Sequence, residues 1–360
     1  MSRTAAKMGF APGRIRQKPM GNNGTIGAGV KKMKTFAKDI LVSFVLGVVL
    51  PAVILSVFLK AGNKAPPIVP VVTTEAASQP EPVVREQLWI PVLMANGTEI
   101  HMDLEEYLRG VVLAEMPVDF EMEALKAQAV VSRTYALRRL TVGTKHTEGT
   151  VCTDSSCCQG YLSEEEYRSK GGTVDDVIKV SQAVQATAGE VLVYQGNLID
   201  ATYFSCSGGR TEDAQAVWGS DVAYLQAVDS PGEESAAYHT DESTFTPEQV
   251  EMALSVELVG DPKDWLNIMS LTEGNSVEKI DICGNTFTGV EVRKALGLRS
   301  AAFTVEADED SVTFYTKGYG HRVGMSQYGA DAMVASGSHY DQILEHYYQG
   351  TELVQYQPGD

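Results

Sequence analysis

The chain has 360 residues, of which 44% are hydrophobic and 21% are charged, a composition typical of a globular protein with room for more than one domain. Charge is unevenly distributed: residues 1–39 contain nine basic side chains and one acid, whereas residues 60–360 contain 20 basic and 46 acidic side chains. Nucleic-acid binding depends on basic side chains that neutralise phosphates, so the acidic balance of the larger part excludes DNA and RNA as expected partners.

Residues 40–59 form an uncharged, apolar stretch between these two regions. Twenty apolar residues suffice to cross the roughly 30 Å of bilayer hydrocarbon, and soluble core helices are seldom apolar on every face over this length. A cleaved signal peptide is the alternative, but its apolar stretch is shorter and follows a short basic segment. The basic residues before the stretch predict one transmembrane helix at the cell membrane, with segment 1–39 in the cytoplasm and the rest extracytoplasmic.

Residues 60–86 contain five prolines and show neither helical nor strand periodicity, so they are interpreted as an extended, semi-rigid linker. The globular part is predicted to span residues 87–356. No period of 20 to 50 residues recurs within it, which argues against a solenoid.

The first motif of the globular part is a predicted helix from Leu104 to Glu115, with Asp103 as its N-cap. Pro117 disfavours the helical conformation of the residue before it, so the helix should end near Glu115. A carboxylate at a helix C-terminus, after four apolar residues, has its charged form disfavoured, which raises its pKa toward that of a general acid at neutral pH. The alternative is a solvated helix end.

A second helix is predicted to follow, with Asp119 as its N-cap and an apolar stripe that includes Arg133. A guanidinium is almost never buried without a partner, so Arg133 should face a carboxylate or a row of carbonyl oxygens. Both a structural ion pair and a role at the site remain open for this residue.

Three segments together resemble the stage II sporulation protein D family. They are EYLRGVVLAEMPVDFEMEALKAQAVVSRTYAL (residues 106–137), YFSCSGGRTEDAQAVWGSDVAYLQAV (residues 203–228) and GYGHRVGMSQYGADAMVASGSHYDQILEHYYQGTEL (residues 318–353). The resemblance covers most of residues 100–355. One departure is Arg322, which stands where the family commonly has glycine.

The resemblance implies a lytic transglycosylase that cleaves the MurNAc-GlcNAc bonds of peptidoglycan, preferably in glycan strands without stem peptides, with Glu115 as general acid and base. An ordinary glycosidase needs two carboxyl groups, whereas here the muramic acid supplies its own nucleophile, the 6-hydroxyl, and closes a 1,6-anhydro ring. We find no second acidic residue in a comparable motif.

The resemblance also implies a set of substrate-binding residues, for which turn formation or core packing is the alternative. The set consists of Arg133, Tyr203, Ser205, Ser207, Gly209, Thr211, His321, Ser326 and Gln327. Trp218 and Tyr319 could stack on sugar faces in the same site.

Five cysteines are present, an odd number that cannot form a complete set of internal disulfides. Clostridial members of the family bind zinc through a Cys, a His and a Cys, and the resemblance places these ligands at Cys152, Cys157 and Cys158. His146 or a water would be the fourth ligand, and the zinc is expected to be structural. A disulfide from Cys152 is the alternative. The other two cysteines, Cys206 and Cys283, are interpreted as buried, unreactive thiols.

The predicted fold class is α+β, with a smaller lobe inserted around residues 212–310 of the catalytic domain. A zinc-dependent amidase or peptidase and a non-catalytic wall-binding scaffold are the competing functions. The resemblance further implies action in septal wall remodelling and engulfment during sporulation, alongside an amidase (stage II sporulation protein P) and a membrane protein (protein M). It leaves open whether the external domain forms a homodimer.

Overall fold

The computed structural model describes residues 87–143, 146 and 150–357. The chain divides into two units, Met1–Val83 and Val84–Asp360, and every described residue belongs to the second. The predicted basic segment 1–39, transmembrane helix 40–59 and linker 60–86 therefore lie outside the described residues. Within the described part, no helix has the length and apolar character needed to span a membrane.

The described chain opens with a hairpin of β1 (Trp89–Leu93) and β2 (Glu99–Asp103), which leads directly into helix α1 (Leu104–Glu115). Asp103 Oδ1 accepts a hydrogen bond from the Glu106 backbone N–H at 3.1 Å, so it is the N-cap. The helix ends at Glu115 because Met116, which precedes a proline, is extended (φ −117°). Both predicted ends of α1 are confirmed.

Helix α2 (Met122–Val142) is the centre of the structure. Its residues 127–134 are all buried because other elements pack on every side of it. The prediction that Asp119 caps this helix is wrong. The Phe120 N–H donates to the Pro117 carbonyl at 3.2 Å in a separate turn, so Glu121 becomes the N-cap and its N–H donates to Asp331 Oδ1 at 2.7 Å.

The elements around α2 are mostly short. They are β3 (Val151–Cys152), α3 (Glu164–Ser169), α4 (Val174–Ala186), β4 (Glu190–Tyr194), β5 (Asn197–Leu198), β6 (Tyr203–Phe204), β7 (Gly209–Arg210), α5 (Ala214–Trp218) and β8 (Asp229–Ser230). The C-terminal segment returns to this core as β15 (Met325–Ser326), α8 (Gln327–Ala335), α9 (Tyr340–Tyr347) and β16 (Glu352–Gln355). β15 pairs in parallel with β6, and β16 pairs antiparallel with β4.

A second hydrophobic core lies between these two parts of the sequence. Its elements are β9 (Thr240–Phe245), α6 (Pro247–Leu254), β10 (Leu266–Leu271), β11 (Val277–Ile282), β12 (Asn285–Phe287), α7 (Gly289–Leu296), β13 (Phe303–Ala307) and β14 (Val312–Lys317). Two three-stranded antiparallel sheets, β10-β11-β12 and β13-β14-β9, enclose its apolar side chains. We call residues 240–317 the lobe. Its bounds differ from the expected 212–310 because residues 212–239 form α5, β8 and connecting segments outside the second core. The α+β class is confirmed.

Arg322 connects the lobe to the rest of the domain. Its guanidinium, which is buried, donates to the carbonyl oxygens of Ser207 (2.7 Å), Arg210 (2.6 Å) and Gly274 (2.8 Å) and to Ser276 Oγ (2.8 Å). Its backbone has φ +66°, the left-handed conformation that favours glycine. The arginine therefore keeps the backbone conformation expected of the glycine and adds a side-chain connection to the lobe.

Candidate active site

Glu115 occupies the last position of α1 and is partly buried. Its Oε1 accepts a hydrogen bond from the Gly160 backbone N–H. Its backbone carbonyl accepts a hydrogen bond from Gln327 Nε2 at 2.9 Å, so a residue of the C-terminal segment fixes the end of the helix. A side chain at position 160 would collide with the carboxylate, since a Cβ there would lie 2.8 Å from Oε1. Glycine at this position thus lets the carboxylate keep its place against the Gly160 N–H.

Burial raises the pKa of the Glu115 carboxyl group above its ordinary value. Hydrogen bonds from the Gly160 N–H and the Tyr203 hydroxyl act in the opposite direction, because both stabilise the ionised form. The carboxyl group is therefore protonated more readily than an exposed glutamate, while two hydrogen-bond donors nearby can stabilise its anion. This combination suits a group that first donates a proton and then accepts one.

A cleft of about 690 Å³ opens beside Glu115. Five of the residues expected at the site line it: Glu115, Tyr203, Ser205, His321 and Gln327. The same cleft contains Trp218, half-exposed, and Tyr319, the two aromatic residues considered for sugar stacking. Among the described residues that line this cleft, Glu115 is the one acidic residue.

Tyr203 joins Glu115 to the loop on the opposite wall. It lies on β6, and its one hydroxyl proton can be donated either to Gln159 Oε1, at 3.2 Å, or to the Glu115 carboxylate. Gln159 in turn donates to the Ser132 carbonyl on α2 at 3.4 Å. Tyr203 therefore connects Glu115 to Gln159, and these two contacts fix its ring in the cleft.

His321 lies between two aromatic rings, with centroid distances of 5.7 Å to Phe204 and 5.3 Å to Trp218. Its Nδ1 accepts a hydrogen bond from the Val323 N–H at 3.1 Å. Burial, together with the positive charge of Arg293, lowers the pKa of His321 to about 4. The imidazole is therefore neutral near pH 7 and can offer a hydrogen bond but no charge.

Arg133 is not part of the cleft, and its expected role in substrate binding is wrong. The side chain is fully buried, and its Nε and Nη2 donate to the two carboxylate oxygens of Glu105 at 2.9 and 2.5 Å. Further bonds reach the carbonyls of Val184 and Glu190. The structural ion pair, the alternative left open by the sequence, is what the fold contains.

The expected small-residue turn from Ser207 to Thr211 also lies outside the cleft lining. It wraps around the buried carboxylate of Glu233, which accepts hydrogen bonds from the Ser207 N–H (2.6 Å) and Oγ (2.8 Å) and from the Gly208 N–H (3.1 Å). Gly209 adopts φ +114° in this turn, and the buried Thr211 pairs with the Val228 backbone. These residues shape the loop and do not face the site.

Ser326 likewise has a structural role that differs from the expectation. It is fully buried and caps α8, since its Oγ accepts a hydrogen bond from the Gly329 N–H at 3.2 Å. The cap positions Gln327, the next residue, at the cleft and at the Glu115 carbonyl. Ser326 thus supports the site without lining it.

The expected metal ligands converge. His146, Cys152, Cys157 and Cys158 each offer a ligand atom, and these atoms all lie within 4.8 Å of one another. Cys157 Sγ lies 3.4 Å from His146 Nε2. No disulfide links any of the five cysteines, all of which are among the described residues. Three thiols and one imidazole are the donor set of closed, structural zinc sites, so the residues fit that ion.

Several residues of the site could not be assigned from the sequence. Gln159 and Gly160, which contact Tyr203 and Glu115, follow directly after Cys158, and this adjacency was the available signal. Tyr135 and Arg139 on α2 also line the cleft. Their helical position was predictable, but their proximity to Glu115 depends on tertiary packing.

The fold and the cleft define a class of site: one partly buried carboxyl group with a raised pKa, aromatic side chains around it and a neutral imidazole nearby. Residues 97–194 match the family model described as "Stage II sporulation protein". The chain is 36% identical to stage II sporulation protein D of Bacillus subtilis (strain 168) over 330 residues, which cover 89% of this chain and 96% of that protein.

Two further relatives match smaller parts of the chain. Stage II sporulation protein D of Bacillus amyloliquefaciens is 36% identical over 280 residues (76% of this chain, 81% of that protein). The amidase enhancer of B. subtilis is 30% identical over 306 residues (69% of this chain, 40% of that protein). The chain belongs to the stage II sporulation protein D family, a family associated with sporulation and the cell wall.

Proposed function

We propose that the protein is a lytic transglycosylase that cleaves the MurNAc-GlcNAc bonds of peptidoglycan glycan strands and leaves 1,6-anhydro-MurNAc ends. The observation that carries the proposal is the carboxyl group of Glu115, the one acidic side chain among the described residues of the cleft, with its pKa raised by burial. A hydrolase that uses two carboxyl groups lacks its second one among the described lining residues.

In this proposal Glu115 acts twice. Protonated, it donates its proton to the glycosidic oxygen as the bond to the muramic acid C1 breaks. Ionised, it takes the proton from the 6-hydroxyl as that oxygen bonds to C1. The Gly160 N–H and the Tyr203 hydroxyl stabilise the carboxylate between the two steps. Trp218 and Tyr319 offer rings on which the sugar faces stack.

Zinc would be held by His146, Cys152, Cys157 and Cys158. Bound there, it would cross-link the segment that ends at Gly160. Its role would be structural, because three thiolates offset most of the positive charge that a catalytic zinc needs. Cys157 and Cys158 line the cleft, so this cross-link would fix one of its walls.

The proposal extends to the cellular setting. Residues 40–59 would anchor the protein in the cell membrane and the domain would act outside it, on glycan strands that an amidase has stripped of stem peptides. Stage II sporulation proteins P and M are the proposed partners, and wall remodelling during engulfment is the proposed process. A zinc-dependent amidase fits less well, since amidase chemistry at the zinc would give the partly buried carboxyl group of Glu115 no role.

The test is digestion of peptide-free glycan strands by the full-length protein, with mass spectrometry of the products. We expect anhydro-sugar ends from the wild type and a loss of about 10⁴-fold in Glu115→Gln, the upper end of the usual contribution of a general acid-base group. Gln retains the shape and can still accept the Gly160 hydrogen bond. Glu106→Gln, an exposed change on the same helix, is the matched control and should retain full activity.

Other products would reject the proposal in distinct ways. Cleaved amide bonds would indicate an amidase, and intact glycans would indicate a scaffold. Retention of more than a tenth of the activity in Glu115→Gln would remove this residue from the mechanism.

A further inference from the structure

A second cavity, of about 510 Å³, lies between α5 and the lobe. Gly320 and His321 line both this cavity and the cleft, and α5 contributes Val217 to the cavity and Trp218 to the cleft. The two spaces therefore share a wall. A ligand in the cleft that contacts His321 would therefore lie against the wall of the second cavity.

The cavity contains an arginine that has no ionic partner in the part of the chain that the structure describes. Arg293, on α7, donates its Nε to the Leu298 carbonyl at 3.3 Å and is partly buried. The eight other arginines of the described residues each have a carboxylate oxygen within 4.0 Å. In a chain with 47 acidic residues, one partly buried guanidinium without such a partner is unusual.

Glu212, an acidic residue of the lining, is engaged by the protein. It is 1% exposed, its Oε1 accepts from Thr272 Oγ1 (2.8 Å) and the Ser276 N–H (3.0 Å), and Arg322 Nη1 lies 3.5 Å from the same oxygen. Its Oε2 has no hydrogen-bond partner among the described residues, but that oxygen is buried, so a ligand in the open cavity does not reach it. The group left for a ligand is therefore the guanidinium of Arg293, and a ligand that pairs with it must carry an anion.

We propose that this cavity is a binding site for the carboxylate of a carboxylated sugar, in which Arg293 pairs with the carboxylate. The inference rests on the proposed function in one respect: in a peptidoglycan strand the carboxylate belongs to the lactyl ether of the muramic acid. That carboxylate is free in strands without stem peptides and is an amide in strands that carry them. Arg293 is then the residue that distinguishes the two.

Three of the four carboxylates that line the cavity are already engaged. Glu212 is paired with Arg322 at 3.5 Å, Glu273 is paired with Arg210 at 2.9 Å, and Asp213 accepts a hydrogen bond from the Ala216 N–H at 2.7 Å as the cap of α5. Glu278 is the fourth carboxylate of the lining, and Lys279 is a further cation beside Arg293 and Arg322. The positive charge of Arg293 also acts on His321, which places it near the wall that the cavity shares with the cleft.

The experiment measures binding by titration calorimetry to the full-length protein with Glu115→Gln, so that the glycan is not consumed. One probe is a muramic-acid-containing tetrasaccharide with free lactyl carboxylates, and the second is the same molecule with each carboxylate capped as a methylamide. We expect Arg293→Gln to weaken binding of the acid probe on the order of ten-fold, as for the loss of one charged hydrogen bond, and to leave the amide probe within about two-fold. Arg293→Lys should keep most of the preference.

Lys294→Gln is the matched control, because it removes an exposed positive charge one residue along the same helix and outside the cavity. It should change neither affinity. Equal losses for both probes, or no loss for either, would overturn the assignment. Binding of free N-acetylmuramic acid with the same dependence on Arg293, but without a preference for the acid strand, would also overturn it, since the site would then recognise a free sugar acid.

The two proposals fail separately. Wild-type protein that forms anhydro ends but shows no carboxylate preference would contradict the role of Arg293 alone. A preference that depends on Arg293, in a protein that forms no anhydro ends, would contradict the transglycosylase alone.

Discussion

The carboxyl group of Glu115 is tuned by opposing influences that act on single atoms. Burial favours its protonated form, whereas the Gly160 N–H and the Tyr203 hydroxyl favour the anion. A general acid is active while it is protonated, so kcat/KM is expected to fall as pH rises through the pKa of this group. The pH at which kcat/KM falls therefore reports the pKa of Glu115, which burial raises and the two hydrogen bonds lower.

Tyr203→Phe tests this balance. Removing the hydroxyl removes a donor that lowers the pKa of Glu115, so the pKa rises further and the alkaline limb of kcat/KM should move to higher pH. The maximal rate should fall by no more than about ten-fold, the equivalent of one neutral hydrogen bond. A pH series on peptide-free glycan measures both.

Tyr224→Phe is the control for this series. It also removes a hydroxyl that is hydrogen-bonded, here to the Asp200 N–H at 3.0 Å, but at a site outside the cleft lining. Its pH profile should match the wild type. A limb that moves to lower pH in Tyr203→Phe would contradict the role assigned to this hydroxyl.

At the scale of elements, the segment between α2 and α3 connects the cysteine cluster to Glu115. Cys158 is followed by Gln159, which contacts Tyr203, and by Gly160, which contacts Glu115. Metal binding to a folded site contributes to folding free energy, so the proposed zinc should stabilise this segment and with it the donor to Glu115.

Cys152→Ser is therefore expected to lower zinc content and to lower the melting temperature by about 10 °C, given the 2–4 °C per kcal/mol usual for domains of this size. Activity per folded molecule should fall as well, because Gly160 is no longer held in place. Metal analysis, thermal melts and product assays measure the three effects. Cys283→Ser, in the lobe and outside the cluster, should change none of them.

Two results would contradict this view of the zinc. Less than a tenth of an equivalent of zinc in protein purified without chelator would remove the metal altogether. A chelated protein with an unchanged melting temperature and no activity would show that zinc takes part in binding or chemistry.

The sequence predicted local features of this site and missed its long-range partners. The N-cap at Asp103 and the extended residue before Pro117 fix both ends of α1, because each depends on neighbours within a few residues. Arg133 pairs with Glu105, 28 positions earlier, and nothing local identifies that partner. The turn at Ser207 encloses Glu233, 26 positions later, for the same reason. Small residues in a motif were therefore assigned to the site when they serve a buried carboxylate.

At the scale of the whole molecule, Arg322 determines how the lobe is joined to the rest of the domain. Its left-handed backbone costs on the order of 1 kcal/mol relative to glycine, whereas its buried guanidinium makes four short hydrogen bonds and lies 3.5 Å from Glu212. Removing one partner of a buried ion pair commonly costs about 3–5 kcal/mol. The stabilisation by the Arg322 guanidinium should therefore exceed the cost of the left-handed backbone.

We expect Arg322→Ala to lower the free energy of unfolding by about 4 kcal/mol and Arg322→Gly by about 1 kcal/mol less, since glycine relieves the left-handed strain. Urea unfolding of the full-length protein measures both. Adding Glu212→Gln to Arg322→Gly should recover part of the loss, because it removes the uncompensated charge. A glycine variant more stable than the wild type would mean that the guanidinium contributes less than the strain costs.

The strand pairings also set the order in which the protein can become active as it is made. Tyr203 lies on β6, whose partner β15 is separated from it by more than a hundred residues, including the entire lobe. β4 pairs with β16, close to the end of the chain. A polypeptide still being synthesised, or one that stops within the lobe, therefore lacks the partners that complete the cleft, and contacts so distant in sequence form late in folding. The cleft around Glu115 can therefore be completed only after nearly all of the protein has been translated.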